Sequence, residues 1–354
     1  MQTPSRPKAT AGTISRRAFA LSTGLAAPLI LGAQNKSGSK LPVVGTGNYT
    51  YEVIHDWGEV PTAIAYGNTH SVIEDSNGFI YVQHTVNASS TSNDAVVVFD
   101  PKGRFVKSWG GEYKGGAHGL HIRKEGKEEF LYHCDTKRAL VVKTNLKGDI
   151  VWTIEYPTMA EPYQPGADGK RKKYSPTNVA VAANGDVYVA DGYGSYYINL
   201  YDKDAKYKKT LTTPGKEPGQ LSNPHGIIID ARSGKEKVLV ADRGNNRLQY
   251  LTMDGQHLSF AGNVKKPCHF QEQKGVVLIP DLDARVTLLD KEDKLIAHLG
   301  EDTSGQHYET RKKTRDAFTP GKFVCPHGAC FDHSGNIFVA EWVEVGRVTK
   351  LKKA

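Results

Sequence analysis

The hydrophobic pattern of this chain is one of short runs. Between Asn223 and Asp254 it reads NPHGIIIDARSGKEKVLVADRGNNRLQYLTMD. β-Branched and aliphatic runs at 226–229, 237–241 and 247–252 are separated by clusters of Gly, Asp, Asn and Ser. That alternation predicts strands joined by turns. Asp254-Gly255 opens a further turn into a fourth run at 257–260. Four short antiparallel strands form a sheet too small to stand alone, so it must stack against copies of itself.

The copies are present. SPTNVAV (175–181) with VYVADGY (187–193), and CPHGACFD (325–332) with IFVAE (337–341), repeat the pattern strongly. THSV (69–72) with FIYV (79–82), AHGL (117–120) with FLYHCD (130–135), and PCHF (267–270) with VVLIPD (276–281) repeat it more weakly. The registered position falls at His70, His118, Thr177, His225, Cys268 and His327, with spacings of 43 to 59 residues. That is the period of a propeller blade. The expected fold is all-β: a six-bladed β-propeller of four-stranded blades. The last blade shows only three strands. The run YTYEVIHDW (49–57) is therefore expected to supply the fourth strand and close the ring, because an open sheet edge is a liability.

Three connections are long: 84–94, 155–174 and 300–324. Second-to-third-strand loops and blade-to-blade loops emerge on one face of a propeller, so all three should rim one mouth of the channel. Long loops in a compact domain are usually functional.

The first 33 residues change the picture of charge and location. SRRAFA (15–20) resembles the twin-arginine export motif, and an apolar stretch from Ala18 to Leu31 follows it. Residues 1–33 read as a signal peptide, 34–48 as a Gly/Ser/Lys-rich linker and 49–354 as the propeller. Export to the periplasm or outside a bacterial cell is the expectation. The apolar run is too short for a membrane anchor, and no stable membrane insertion is expected. The formal charge of +8 falls to +4 once Arg6, Lys8, Arg16 and Arg17 of the leader are set aside. The remaining basic runs, at 170–173 and 311–315, lie in loops. No continuous basic face with interleaved aromatics is evident, which argues against nucleic-acid binding. The four cysteines, Cys134, Cys268, Cys325 and Cys330, make no Cys-x-x-Cys pair, which argues against a thiolate zinc site. Cys325 and Cys330 read as lying on one strand with opposite orientation, so they should not pair with each other.

The candidate chemistry sits at the registered position, which starts the innermost strand of each blade beside the channel. His118, His225 and His327 belong to blades two, four and six, so three imidazoles converge on the axis from about 120° apart. That layout suits a His₃ divalent metal with open positions, zinc above all. His70, His84 and Cys268 are further channel-lining candidates. Calcium is a candidate structural ion. The acids Asp135, Asp191, Asp242, Asp281 and Glu341 recur at second-strand ends, where they should tie neighbouring turns together.

PGQLSNPHG followed by VADRGNNRLQ resembles the NHL-type blade consensus, in register over roughly residues 60–350 and most closely in blades three, four and six. AHGL, PHG and PHGA in alternate blades also resemble the zinc-binding histidines of peptidyl-α-hydroxyglycine α-amidating lyases. The resemblance implies cleavage of an α-hydroxy amide to an amide and glyoxylate. It implies that Tyr193, in VADGY, is the base and Arg243, in VADR, an active-site arginine. A tyrosine near a metal and an arginine should have a lowered pKa. The family's second arginine would follow His84, where this chain has Thr85. The chain also lacks the copper monooxygenase half that makes the lyase's substrate. A small-molecule or peptide substrate and a monomeric state are expected. Two alternatives stay open: a non-catalytic binding propeller with a structural channel metal, and a metal-dependent hydrolase.

Overall fold

The computed structural model describes residues 41–354. The segment read as a signal peptide and residues 34–40 of the linker lie outside the described residues. Five antiparallel four-stranded sheets follow one another along the chain, spanning 69–109, 117–154, 178–210, 224–261 and 271–299, and 326–353 supplies three strands of a sixth. This is the six-bladed propeller expected from the repeats. Within a blade the strands run inside to outside. In blade three, Val187–Ala190 is wholly buried whereas the fourth strand, Tyr207–Thr210, is half open to solvent. The inner strands are continuous apolar runs buried on both faces, so the core lies between blades. Ala180, Tyr188, Ile198 and Leu200 of blade three pack against Ile227, Val238, Val240 and Leu251 of blade four.

The sixth blade is completed by the N-terminal strand. Tyr49–Ile54 pairs antiparallel with Arg347–Lys353, and Val53 faces Leu351 across the ladder. The strand ends three residues earlier than the sequence pattern suggested. Val43–Thr46, inside the stretch read as linker, is itself a strand. It pairs with Tyr49–Ile54 and makes the closing sheet five-stranded. A hairpin turn at Gly47-Asn48 joins the two.

The long connections gather on one side. Asn87, in the 84–94 loop, donates to the Glu344 carbonyl at 3.2 Å. Arg311, in the 300–324 loop, reaches Asn68 Oδ1 at 3.0 Å and the Trp342 carbonyl at 3.1 Å. Two short helical turns, His307–Thr310 and Arg315–Ala317, sit in that loop. Tyr163, in the 155–174 loop, donates to Asp191 Oδ2 at 2.6 Å.

The second-strand acids stitch this face together. Asp191 accepts the Ser175 N–H at 2.6 Å, Asp242 the Ser222 N–H at 2.8 Å, and Glu341 the Val324 N–H at 2.7 Å. Each carboxylate so ties its own turn to the loop that enters the blade. The four cysteines are free and buried. Cys325 precedes the strand Pro326–Phe331 rather than lying on it, so the expected opposite orientation along one strand does not apply to it. No helix among the described residues is long and apolar enough to cross a membrane.

Candidate metal centre and active site at the propeller mouth

The innermost strands do not begin regularly. The ladder shifts register between Ala117 and Leu120, between Pro224 and Ile227, and between Pro326 and Gly328. Such bulges re-aim a side chain, and here each lies at a registered histidine. His118, His225 and His327 are buried, and their ring centroids stand 4.7–4.8 Å apart.

One device orients all three. His118 Nδ1 lies 2.8 Å from the Thr177 carbonyl, His225 Nδ1 2.8 Å from the Cys268 carbonyl, and His327 Nδ1 2.9 Å from the His70 carbonyl. A carbonyl can only accept, so each Nδ1 carries the proton and each Nε2 keeps its lone pair. The acceptors come from blades three, five and one. The registered positions that are not part of the triad therefore position it. The glycine after each histidine follows from the same contact. A Cβ on Gly119, Gly226 or Gly328 would stand 2.3, 2.7 or 2.4 Å from the carbonyl oxygen that its preceding histidine needs. His-Gly is the dipeptide that lets the next blade's backbone come this close.

Tyr193 enters from the loop after Val187–Ala190. Its hydroxyl lies 3.3 Å from His118 Nε2 and 3.1 Å from His225 Nε2. His70 lies against the other side of the cluster, with ring centroids 4.7 Å from His118 and 4.5 Å from His327. Its Nδ1 stands 3.4 Å from His327 Nε2, beyond the usual hydrogen-bond range. Three inward lone pairs thus share little more than one hydroxyl proton, and an electron-poor ion suits that deficit. Burial holds His118 down to about 3, and pushes His70, His225 and His327 well below the ordinary histidine value. They are therefore neutral ligands at physiological pH. The residues present fit a divalent transition ion.

Two groups of three have all their donor atoms within 4.8 Å of one another: His70, His118 and His327, and His225, Cys268 and His327. His327 is common to both. The expected triad is not one of these groups, because Tyr193 stands between His118 and His225.

Arg243 closes the blade-four side. It follows the strand Lys237–Asp242, donates from Nε to Asn223 Oδ1 at 3.1 Å, and brings Nη1 to 3.6 Å from Cys268 Sγ. Its guanidinium carbon is 5.4 Å from the centre of the Tyr193 ring. The expectation of a lowered tyrosine pKa is not met by the protein's own groups. Burial raises Tyr193, and the Arg243 charge and hydrogen bond offset only part of that rise. Burial likewise pushes the Cys268 thiol up to about 11, with Arg243 acting against it.

His84 is not part of the cluster. It sits at the end of Ile80–His84, its ring packed against Tyr66 and its Nδ1 accepting the Val86 N–H at 3.1 Å. Two histidines outside the blade register also occupy the interior. His121 Nε2 and His269 Nδ1 are buried without a hydrogen-bond partner. The cue to them was local: each lies one to three residues beyond a registered position, in AHGLH and CH.

No protein-family model matches the chain. The chain is similar to NHL repeat-containing protein 3 of Mus musculus, 27% identical over 196 residues that make up 53% of each protein. It is 29% identical over 205 residues to the peptidyl-glycine alpha-amidating monooxygenase of Mus musculus, covering 52% of this chain and 19% of that one. It is 24% identical over 234 residues, 63% of each chain, to a Caenorhabditis elegans protein described as a "Probable peptidyl-alpha-hydroxyglycine alpha-amidating lyase". The chain thus spans about half the length of the NHL relative and about a fifth of the monooxygenase. Its distant relatives include NHL repeat-containing proteins, in keeping with the six-bladed propeller described above. Among solved structures, a streptogramin B lyase superposes with a TM-score of 0.56 at 13% identity, covering 86% of this chain and 98% of that one. A gluconolactonase from Xanthomonas campestris superposes at 0.58 and 12%, covering 89% and 98%. These two likenesses are of fold.

Proposed function

We propose that the mouth is the active site of an exported, metal-dependent carbon–nitrogen lyase, which cleaves an α-hydroxy amide to an amide and glyoxylate. The observation that carries this reading is the Tyr193 hydroxyl, within 3.3 Å of two neutral imidazoles and with the half-buried Arg243 guanidinium over its ring. The relatives named as amidating enzymes support it.

His118, His225 and His327 would hold the ion through Nε2. When bound, it supplies positive charge beside an oxygen that is losing its proton. The reaction needs no oxidant. Tyr193 takes the proton from the substrate hydroxyl, the carbon–oxygen bond becomes a carbonyl, and the carbon–nitrogen bond breaks. The nitrogen leaves with the bond pair and is protonated to the amide. Tyr193 is held too basic to ionise alone, so its role as a base requires added cationic charge nearby. Arg243 has donors beyond those that Asn223 and Cys268 engage, in the planar fork that fits the carboxylate of a glyoxylate end. The rest of the substrate, a peptide or small molecule, would lie against the 84–94, 155–174 and 300–324 loops.

The test is glyoxylate release from a peptidyl-α-hydroxyglycine by the metal-loaded protein. Glyoxylate and amide are expected in equal amounts. A metal-loaded protein that releases none overturns the lyase reading.

A further inference from the structure

We propose that His70 is a fourth nitrogen donor, so that the ion is held by four imidazoles, from blades one, two, four and six. This rests on the reading of the mouth as a metal site.

The contact between His70 and His327 carries it. Their facing nitrogens, Nδ1 and Nε2, are 3.4 Å apart. That is long for a hydrogen bond. It is the separation of two nitrogens bound at about 2.0–2.1 Å to one tetrahedral ion, about 3.4 Å. His70, His118 and His327 form one of the two groups whose donor atoms all lie within 4.8 Å, and that group contains two of the three triad members. His225 would complete the set: its ring is 4.8 Å from His118 and 4.7 Å from His327, and its close donor group is shared with His327 and Cys268.

His70 also lacks the alternative use that a buried histidine usually has. Its ring is buried, and its one polar side-chain contact is the long one to His327. Buried polar groups are normally satisfied. The buried His133, by contrast, is bonded to Gln83 Oε1 at 2.8 Å and Thr144 Oγ1 at 3.1 Å. The other sulfur or nitrogen within reach, Cys268, is differently employed. Its Sγ faces the Lys266 carbonyl and the Arg243 guanidinium, both at 3.6 Å, which suits a thiol that keeps its proton.

Two chemical consequences follow. Four neutral imidazoles without a carboxylate select zinc, copper(II), nickel(II) or iron(II) and exclude magnesium and calcium from this centre. His70 is also the one donor whose ring no backbone carbonyl fixes. It is the ligand that can swing away when a substrate oxygen needs a coordination position.

The experiment loads the full chain, wild type and His70→Gln, with cobalt(II) and with copper(II). It measures affinity by competition, the visible spectrum of the cobalt form, and the number of coupled imidazoles by electron spin-echo modulation of the copper form. Wild type is expected to show four imidazoles and His70→Gln three, with affinity weakened about 10- to 100-fold and a changed cobalt spectrum. The exposed His333→Ala should leave all three readouts unmoved, and equal melting of the metal-free proteins controls for folding. If wild type binds and His118→Ala abolishes binding, yet His70→Gln matches wild type, the fourth ligand is overturned while the metal site stands. If a thiolate-to-cobalt band persists in His70→Gln and vanishes in Cys268→Ser, the fourth donor is the sulfur, and the proposal also fails. If wild type binds no ion, the metal reading and this inference fall together.

Discussion

Gly328 lies against the main-chain oxygen of His70, so that a Cβ on it would stand 2.4 Å from that oxygen. The same oxygen fixes His327 through Nδ1 at 2.9 Å. Gly328→Ala should therefore push the blade-one backbone away and unseat the imidazole. A loss of about 1–3 kcal/mol in stability is expected from the overlap. Metal affinity should fall by about 10- to 100-fold, the usual effect of losing a ligand's supporting bond. Gly262→Ala, where a Cβ meets nothing within 4 Å, should be silent in both. Chemical denaturation and metal competition on the two variants check this. Normal metal binding by Gly328→Ala would contradict it.

Tyr193→Phe removes the oxygen shared by His118 and His225 and keeps the ring. Turnover should drop by about 10² or more, the scale of a general base, with metal still bound. Arg243 pulls the Tyr193 pKa down against burial. Arg243→Met should then raise it, and the acid limb of the kcat/KM profile should move to higher pH. KM for a carboxylate-bearing substrate should rise as well. An unmoved acid limb would separate Arg243 from the base.

Stability should fall on the acid side. Burial holds His133 and His55 near a pKa of about 3, against 6.5 for a free histidine. The unfolded chain takes up these protons as pH drops through about 6.5, and the folded chain refuses them until about 3. The contribution of each group is therefore complete above 6.5 and is lost progressively between 6.5 and 3, at up to about 1.4 kcal/mol per pH unit. Denaturation midpoints from pH 7 to pH 4 should decline, and His133→Gln should make the decline shallower. A flat profile would contradict the assignment.

Deleting residues 41–54 removes the closing hairpin and leaves Arg347–Lys353 with a bare edge. The truncated protein should aggregate or melt without cooperativity. A soluble, sharply melting truncation would refute the role of the hairpin.

The blade count and the three convergent histidines were legible because each depends on a local pattern repeated in register. His-Gly at 118, 225 and 327 was visible, but its cause was not. The carbonyl that each pair accommodates comes from a residue 43 to 257 positions away. The Val43–Thr46 strand was within reach of the sequence, since Gly47-Asn48 between two β-branched runs is a hairpin signal. The Gly/Ser/Lys content just before it favoured a linker instead. The burial that raises Tyr193 was not legible, because a cationic neighbour is visible in a sequence motif and burial is not. His70 fell in the register but outside the alternate-blade symmetry, so only its 3.4 Å approach to His327 distinguishes it.

The Ala354 N–H donates to the Thr50 carbonyl at 3.0 Å, so the two ends of the ring are held by hydrogen bonds, an ion pair and apolar packing rather than by a covalent link. The chain emerges from synthesis in order, and the partner of Tyr49–Ile54 appears only about 300 residues later, after five blades. The same late event brings His327 to the carbonyl of His70. On the proposed reading, a chain without the sixth blade would lack His327, so metal uptake would report that this blade has docked against the first.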